Sequence, residues 1–565
     1  MEAAPESQLK VWRHWNGHAR AALSVVLALA AGLALRLWMM AKFFEVSGDS
    51  LIYGRLAKSL LLRGSFALTT QAGQTYPTLI RLPGYPLFLA ACFRIFGMEN
   101  YASAAWVQIG LELLGCLLLA DFVRRIASPG AAHCTLWLAM LCPFTAIYAA
   151  EPLSESPTLF LLALALWAAE RFLASPGWMS ALGFTLAVSY AALLRPDGAL
   201  VGVALAPAVL LGLWRNRVRE TGNGLVSEGN AAASATEGFH AVEKTSAQGL
   251  KPAGSLARLT ARLKSCPVAK HTDPSVFPQP LKSCSVTGPA PSRGFPHLDH
   301  SCPDAEPGLL PEGKRPRLAR MALVCVVLAL APFVAWAWRN WQVFHVFEPL
   351  APRLAMDPGE DPHLGWERWV KTWCLDFVST YDVYWNVPGD RLEIAKLPGR
   401  AFDSPAQYAE TAALAADYNQ GMLLTHSIDE RFGRLADQRI AAHPLRFYLW
   451  LPSGRVADMW LRPRVENLPI DLDWWVYSHH RAETRIAWAC AGLNGFYVLL
   501  AIAGLCLRPR FWPSMLAYMA LRSAMLLSVA APEARYTLEC FPMLFVLGGV
   551  ALGTGWRRIS GLKNG

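Results

Sequence analysis

Residues 21–41 read AALSVVLALAAGLALRLWMMA, an almost uninterrupted apolar run near the start of the chain. A helix needs about 20 apolar residues to cross a hydrocarbon core ~30 Å thick, so this run is long enough to span a bilayer. A basic flank of Lys10, Arg13 and Arg20 precedes it. Because its apolar part is long and no convincing small-x-small cleavage site follows, we interpret it as an uncleaved first span.

The composition of the whole chain agrees with this interpretation. Of its 565 residues, 54% are hydrophobic and 17% are charged, whereas soluble domains carry roughly 25% charged residues. This argues against a cytosolic enzyme, a disordered chain or a fibrous repeat. The sequence predicts an all-α polytopic membrane protein with about ten spans. Nine further spans are predicted at residues 101–123, 133–150, 157–173, 178–194, 199–214, 318–338, 485–507, 512–530 and 536–555.

The net charge of +10 is distributed as a membrane topology requires. Most of the positive charge lies beside the spans at ends predicted to be cytoplasmic, whereas the short external turns carry isolated arginines such as Arg195 and Arg535. This is the positive-inside pattern, and it predicts that both termini are cytoplasmic. It also explains the basic balance without a nucleic-acid partner. The 12 cysteines include no CxxC pair and no Cys/His cluster with metal spacing.

Three long connections divide the chain. Residues 44–100 form a predicted external loop with helix-like stretches at 50–62 and 85–96, the second of which is too short to span and is expected along the membrane surface. The chain is thus predicted to consist of residues 1–214 (spans one to six with loop 44–100), 215–317 (a Gly/Ser/Ala/Pro-rich, disordered cytoplasmic insertion), 318–338 (span seven), 339–484 (a mainly helical, Trp-rich external region) and 485–565 (spans eight to ten and a cytoplasmic tail).

The external region contains one strong helical pattern. Trp366, Trp369, Val370 and Trp373 recur at i, i+3, i+4 and i+7 and form a single apolar stripe. Because tryptophan favours the headgroup level of a membrane, we predict an interfacial helix. Stacking of some of these rings on sugars is an additional interpretation.

Polar residues that could take part in catalysis or binding lie at the predicted external face. They include Asp49, Glu155, Arg195, Arg339 and Arg535, all at ends of spans. Each also has an ordinary explanation, since acidic residues cap helix N-termini and external arginines reach toward headgroups. Several converging arginines would also suit a phosphate, which guanidinium binds in a bidentate manner.

Two charged residues lie near the middle of predicted spans. Glu112 and Arg522 are predicted near mid-membrane, where an unpaired charge is costly, so they should face the interior of the bundle. Pairing of these two residues is one possibility. A structural pair is favoured over a transport relay.

Short motifs in a defined order resemble a known family. They are Gly48-Asp49-Ser50-Leu51-Ile52-Tyr53, Arg81-Leu82-Pro83-Gly84-Tyr85-Pro86, Ser154-Glu155, Leu194-Arg195-Pro196, Arg339-Asn340 and the turn 532–536. Together they resemble the polyprenyl-phosphate-sugar-dependent glycosyltransferases of the GT-C superfamily, and most closely the bacterial family 39 group near the protein O-mannosyltransferases and the lipid A aminoarabinose transferase. The resemblance excludes residues 215–317 and weakens across 345–480.

The resemblance implies a fold and a reaction. External juxtamembrane helices would accompany the spans, and the catalytic cavity would face the periplasm at the bacterial inner membrane. A sugar would move, with inversion, from a polyprenyl-phosphate carrier to a hydroxyl of an acceptor that the sequence does not identify, either a protein or a cell-envelope glycan or lipid. A transporter or flippase of lipid-linked sugars is the main alternative, although the two halves of the chain show no inverted repeat. A glycan polymerase or ligase is another.

The resemblance also implies residue roles. Asp49 and Glu155 would be catalytic, with Asp49 acting as general base or, together with Glu155, as a ligand of a divalent metal. Many relatives have an Asp-Glu pair where this chain has Asp49 followed by a serine, which leaves metal use open. The remaining implied residues are the donor-phosphate arginines Arg81, Arg195, Arg339 and Arg535 and the substrate-binding tyrosines Tyr53, Tyr85 and Tyr536.

Overall fold

The computed structural model describes most of the chain outside the predicted insertion. The described residues are 6–46, 48–70, 72–213, 315–352, 356–471, 473–475 and 481–562. The prediction of disorder for residues 215–317 therefore falls outside them, except for residues 315–317, which begin a helix. In the described residues, helices account for nearly all regular structure, which confirms the all-α prediction.

The membrane part is built from helices that follow the predicted spans closely. Seven helices (α1, α4, α7, α9, α10, α16 and α18) are long and apolar enough to cross a bilayer, and α5 with α6, bent by 51°, forms an eighth candidate within the described ranges. The chain is an integral, multi-pass membrane protein. The bounds are α1 Glu6–Phe43, α4 Tyr101–Ile126, α5 Pro129–Met140, α6 Pro143–Ala150, α7 Glu155–Ala174, α8 Trp178–Leu194, α9 Pro196–Leu213, α10 Arg315–Phe344, α16 Arg481–Cys506, α17 Trp512–Leu526 and α18 Phe541–Leu562.

Two of the ten predicted spans are shorter than a bilayer is thick. Helix α8 has 17 residues and α17 has 15. At 1.5 Å per residue they extend about 23–26 Å, less than the ~30 Å hydrocarbon core. Both helices end beside the candidate active site described below.

The remaining elements form the first loop and the external region. The helices predicted in the first loop are both present, and a small antiparallel sheet pairs Ala67 with Pro77 between them. These elements are α2 Asp49–Arg63, β1 Ala67–Thr69, β2 Thr75–Pro77, α3 Gly84–Phe96, α11 Leu364–Lys371, α12 Phe377–Ser379, α13 Pro405–Tyr418, α14 His426–Ala442 and α15 Leu451–Leu461.

A buried arginine stabilises the break between α5 and α6. Pro143 begins α6 and has no N–H to donate, so carbonyls at the end of α5 lose their helical partners. Arg36 of α1 is fully buried and donates to the carbonyl of Met140 (2.9 Å) and to Glu112 of α4 (2.8 Å). Glu112 is therefore part of a structural ion pair, as predicted. Its partner is Arg36, and the suggested pairing with Arg522 is wrong.

The tryptophan stripe forms the core of the external region. Trp366, Trp369, Val370 and Trp373 are all buried. The ring of Phe432 from α14 packs 5.0 Å from that of Trp369. The predictions of an interfacial helix and of sugar stacking are both wrong for these four residues, because a second helix of the same region covers the stripe.

A close contact between α3 and α8 brings two site segments together. A Cβ atom on Gly84 would lie 2.5 Å from the carbonyl carbon of Leu193, so only glycine fits at this position. The hydroxyl of Tyr190 donates to the carbonyl of Gly84 at 3.0 Å. Arg81 just before α3 and Arg195 just after α8 are held near each other as a result.

Candidate active site

A continuous network of charged side chains lies where the first loop, α7, α8, α17 and the segment before α18 meet. Among the described residues, ion pairs of 4 Å or less link five carboxylates and four guanidiniums that come from distant parts of the sequence. The members are Asp49, Arg81, Glu155, Arg195, Asp197, Arg522, Glu533, Arg535 and Glu539.

Asp49 lies at the partly exposed outer end of this network. Gly48 before it has φ of +50°, a left-handed conformation that favours glycine, and α2 begins directly afterwards. One carboxylate oxygen accepts from Nη2 of Arg81 (2.8 Å) and the other from Nη1 of Arg535 (3.2 Å). Asp49 is the acidic residue in the first turn of α2, as the capping explanation expects, and both of its carboxylate oxygens also contact arginines.

The two arginines keep Asp49 ionised. Burial acts to raise the pKa of this carboxyl, but the charges of Arg535 and Arg81 outweigh burial and hold the pKa below its ordinary value. Asp49 is therefore a weak proton acceptor while both arginines contact it.

Glu155 lies deeper and shares an arginine with Asp49. It is buried at the start of α7, where it accepts from Nη1 of Arg195 at 3.0 Å. Nη1 of Arg535 lies 3.8 Å from the same carboxylate and 3.2 Å from Asp49. The Arg535 guanidinium thus lies between the two predicted catalytic carboxylates.

The inner end of the network is fully enclosed. Arg522 is buried, contacts both Asp197 (2.5 Å) and Glu539, and donates to the carbonyl of Tyr536 (2.7 Å). Arg195 reaches Glu539 at 3.0 Å. Glu539 contacts both guanidiniums at ion-pair distance without an aligned hydrogen bond, so charge attraction accounts for these contacts. This end fixes Arg195 and the segment before α18.

The three predicted tyrosines have different surroundings. The Tyr85 ring is fully buried, its hydroxyl donates to Oε1 of Gln108 (2.6 Å), and its ring packs edge-on against that of Tyr53 (4.9 Å). Tyr85 is consequently a packing residue. Tyr536 faces the network: the guanidinium carbons of Arg195 and Arg535 lie 6.0 and 5.8 Å from its ring centre.

Arg339 makes none of the contacts that join the network in the described residues. Its guanidinium donates to the carbonyls of Phe66 (2.7 Å) and Thr78 (2.9 Å) and lies 5.2 Å from the ring of Trp336. It lines an apolar cavity of about 540 Å³ between α2, α3, α8 and α10. The cavity wall includes Leu60, Phe66, Pro83, Leu87, Leu193, Pro332 and Trp336.

Sequence reasoning did not identify three carboxylates of the network as site residues, namely Asp197, Glu533 and Glu539. Glu533 accepts from Nε of Arg535 and from the hydroxyl of Tyr536, each at 2.5 Å. Glu539 is a carboxylate at the start of an apolar span. A buried charge in such a position is costly unless it is paired, so the position of Glu539 in the sequence could have indicated a paired residue of the site.

The described residues contain no preformed binding site for the divalent metal that the family resemblance suggests. Among the described residues, no group of three or more His, Cys, Asp or Glu side chains is arranged to hold a metal ion. Asp49 and Glu155, the two predicted ligands, have the Arg535 guanidinium between them. The mechanism proposed below uses no metal step, and metal dependence stays a prediction.

Comparison with known proteins finds a family match for part of the chain. Residues 80–227, about a quarter of the chain, match the family model of the dolichyl-phosphate-mannose-protein mannosyltransferases. This segment is similar to that family of glycosyltransferases. It contains Arg81, Glu155 and Arg195 of the network, and over these residues the predicted family resemblance is confirmed.

Two solved structures are also similar. ArnT from Cupriavidus metallidurans in the apo state is 14% identical, with 94% of this chain and 77% of that chain covered and a TM-score of 0.34. The structure of the same ArnT bound to undecaprenyl phosphate is 14% identical, with 94% and 78% covered and a TM-score of 0.35. No curated protein matches this chain.

Proposed function

We propose that this protein moves a sugar from a polyprenyl-phosphate carrier to an acceptor hydroxyl, with inversion, at the periplasmic face of the bacterial inner membrane. The observation that carries the proposal is Asp49 held between Arg81 and Arg535 at the partly exposed end of an otherwise enclosed charge network. The match of residues 80–227 to the mannosyltransferase family supports the reaction class.

The two outer arginines are the groups that suit a donor phosphate. The side chains of Arg81 and Arg535 are 26% and 24% exposed, whereas that of Arg522 is fully buried. Guanidinium binds phosphate in a bidentate manner, and a phosphate at this position would compete with Asp49 for both cations.

An apolar cavity is a candidate site for the lipid part of the donor. Its wall is apolar apart from Arg339 and Ser65, and it includes Pro83 and Leu193, two residues away in sequence from Arg81 and Arg195. A volume of about 540 Å³ is in the range of small-molecule sites. This sequence proximity supports binding of the phosphate at Arg81 and of an isoprenoid segment in the cavity as two parts of one donor.

The reaction follows from this arrangement. The acceptor oxygen attacks the anomeric carbon while the bond from that carbon to the phosphate oxygen breaks, and attack on the opposite face inverts the centre. Charge develops on the departing phosphate, and fixed guanidiniums stabilise it. Asp49 orients Arg81 and Arg535 toward that position.

The test uses the protein purified in detergent with a radiolabelled polyprenyl-phosphate sugar. The wild type is expected to release lipid phosphate and to label an acceptor, and Asp49→Asn is expected to do neither. Glu99→Gln changes a surface carboxylate that pairs with Lys58 and serves as the matched control with full activity. Full transfer by Asp49→Asn would contradict the assignment, and lipid translocation without transfer would support a flippase.

A further inference from the structure

We propose that Glu151 is the residue that takes the proton from the acceptor hydroxyl during sugar transfer. The inference rests on the proposed function and adds the proton acceptor, a role for which Asp49 is poorly suited while two arginines hold it.

The main chain of Glu151 is firmly positioned. The residue follows the last turn of α6 and precedes the turn that leads to Glu155. Nε2 of Gln108 donates to its carbonyl at 2.6 Å, and Oε1 of Gln108 accepts from the hydroxyl of Tyr85 at 2.6 Å. Gln108 and Tyr85 are both fully buried, so this chain of hydrogen bonds fixes the turn at the edge of the network.

The side chain of Glu151 has a neutral hydrogen-bond partner. Its Oε1 accepts from Nδ2 of Asn467, which the external region contributes, at 2.7 Å. Among the described residues, no Lys or Arg lies within ion-pair distance of it. This distinguishes Glu151 from Asp49 and Glu155, whose oxygens contact guanidiniums.

The charged groups that face Glu151 are mainly acidic. Glu155 from α7 and Glu45 from the segment after α1 are negative, Arg535 is positive, and Tyr148 of α6 is a neighbouring neutral hydroxyl. Burial raises the pKa of Glu151 to about 8, with Glu155 and Glu45 acting in the same direction and Asn467 and Arg535 acting against it.

Carboxyls with opposite pKa shifts in one site indicate divided roles. Asp49 is held below its ordinary pKa by Arg535 and Arg81, so it remains a fixed anion. Glu151 has the greater proton affinity and is partly exposed, which leaves it accessible to a hydroxyl. The site thus contains a permanent charge within the network and, at the edge of the network, a group able to accept a proton near neutral pH.

Proton transfer to Glu151 accompanies formation of the new glycosidic bond. The acceptor O–H bond breaks and its proton passes to the Glu151 carboxylate, while the oxygen forms the bond to the anomeric carbon. The bond from that carbon to the phosphate oxygen breaks, and the electron pair leaves with the lipid phosphate. Glu151 then returns its proton to water before the next turnover.

The first experiment is a pH profile of kcat for transfer. Because the ionised form of Glu151 is the active one, the wild-type rate should rise with pH until about pH 8 and then level off. Glu151→Gln should lower kcat by about 10²- to 10⁴-fold and abolish this rise, while lipid phosphate binds as tightly as in the wild type. Glu151→Asp should retain part of the activity together with the rise.

A second variant tests whether the hydrogen bond from Asn467 lowers the pKa of Glu151. Asn467→Ala removes the hydrogen bond that lowers the pKa of Glu151, so the rise should move to higher pH with the plateau rate largely kept. Glu99→Gln should leave the profile unchanged. A wild-type rate and profile in Glu151→Gln would overturn the proposal for Glu151 and leave the proposed function intact.

An infrared measurement, which does not depend on turnover, distinguishes failure of the Glu151 proposal from failure of the proposed function. The infrared band of a protonated carboxyl should titrate near pH 8 in the wild-type protein in detergent and be missing in Glu151→Gln. An unchanged band in the variant would overturn the inference about Glu151. Absence of transfer in the wild type, with the band titrating as expected, would overturn the proposed function and with it the role of Glu151 in transfer.

Discussion

Replacing Asp49 by asparagine is expected to have two opposite effects, namely loss of sugar transfer and tighter binding of the lipid phosphate. In the wild type both oxygens of Asp49 accept from arginines, Arg81 at 2.8 Å and Arg535 at 3.2 Å. A phosphate that binds these guanidiniums competes with the carboxylate and weakens its two contacts. Asparagine has nearly the same shape but no charge, so it competes far less for them.

The size of the gain follows from the exposure of the two ion pairs. The side chains of Asp49, Arg81 and Arg535 are 22%, 26% and 24% exposed, so solvent screens the pairs in part. Exposed pairs are worth up to about 1 kcal/mol, and hydrogen bonds to charged groups in enclosed sites somewhat more. Release from two partly screened pairs should favour phosphate by about 1–2 kcal/mol in total, a Kd about 5- to 30-fold lower.

The assay is equilibrium binding of polyprenyl phosphate to detergent-purified wild type and Asp49→Asn, with transfer measured on the same preparations. Glu99→Gln, which alters a surface pair with Lys58, controls for the loss of one negative charge. Weaker binding of lipid phosphate by Asp49→Asn than by wild type would refute the reasoning, because it would mean that the carboxylate helps to hold the ligand rather than competing with it.

Three further outcomes are expected. Arg36→Met should destabilise the protein by about 3–5 kcal/mol in reversible unfolding because it leaves Glu112 buried and unpaired, while adding Glu112→Leu should recover most of that loss. Trp369→Ala should lower the free energy of reversible unfolding by about 3–5 kcal/mol by opening a cavity against Phe432. Prolonged treatment with EDTA should leave transfer unchanged, because Arg535 already lies between Asp49 and Glu155; loss of transfer with recovery on adding Mg²⁺ or Mn²⁺ would restore the metal role.

The sequence predicted spans and helices well because their signals are local. The apolar runs correspond to the long helices, and the stretches predicted at 50–62 and 85–96 are helices Asp49–Arg63 and Gly84–Phe96. Pairing between distant segments carries no such signal. Glu112 was expected to face the bundle interior, but periodicity cannot say which arginine meets it there, and the partner, Arg36, is 76 residues away.

The tryptophan stripe is a second feature whose packing partner the sequence pattern could not predict. Its spacing correctly indicates a helix face that avoids water. It does not distinguish a face covered by lipid from one covered by protein, and here Phe432 on another helix covers Trp369. Likewise, the order of motifs singled out Asp49, Glu155 and three arginines that do converge. Glu533 lies in the motif turn 532–536 and Glu539 lies outside the motifs, and both were identified as site residues only through their contacts.

The balance of charge within the network explains how one site can be both stable and reactive. Buried charges in an apolar surrounding persist only when they are paired, and at the inner end Arg522 and Glu539 are fully buried and paired with each other. At the outer end the arginines are partly solvated, so exchanging a carboxylate for a phosphate costs less there. The inner pairs therefore fix the geometry, and the outer arginines are the ones able to change partners during a reaction.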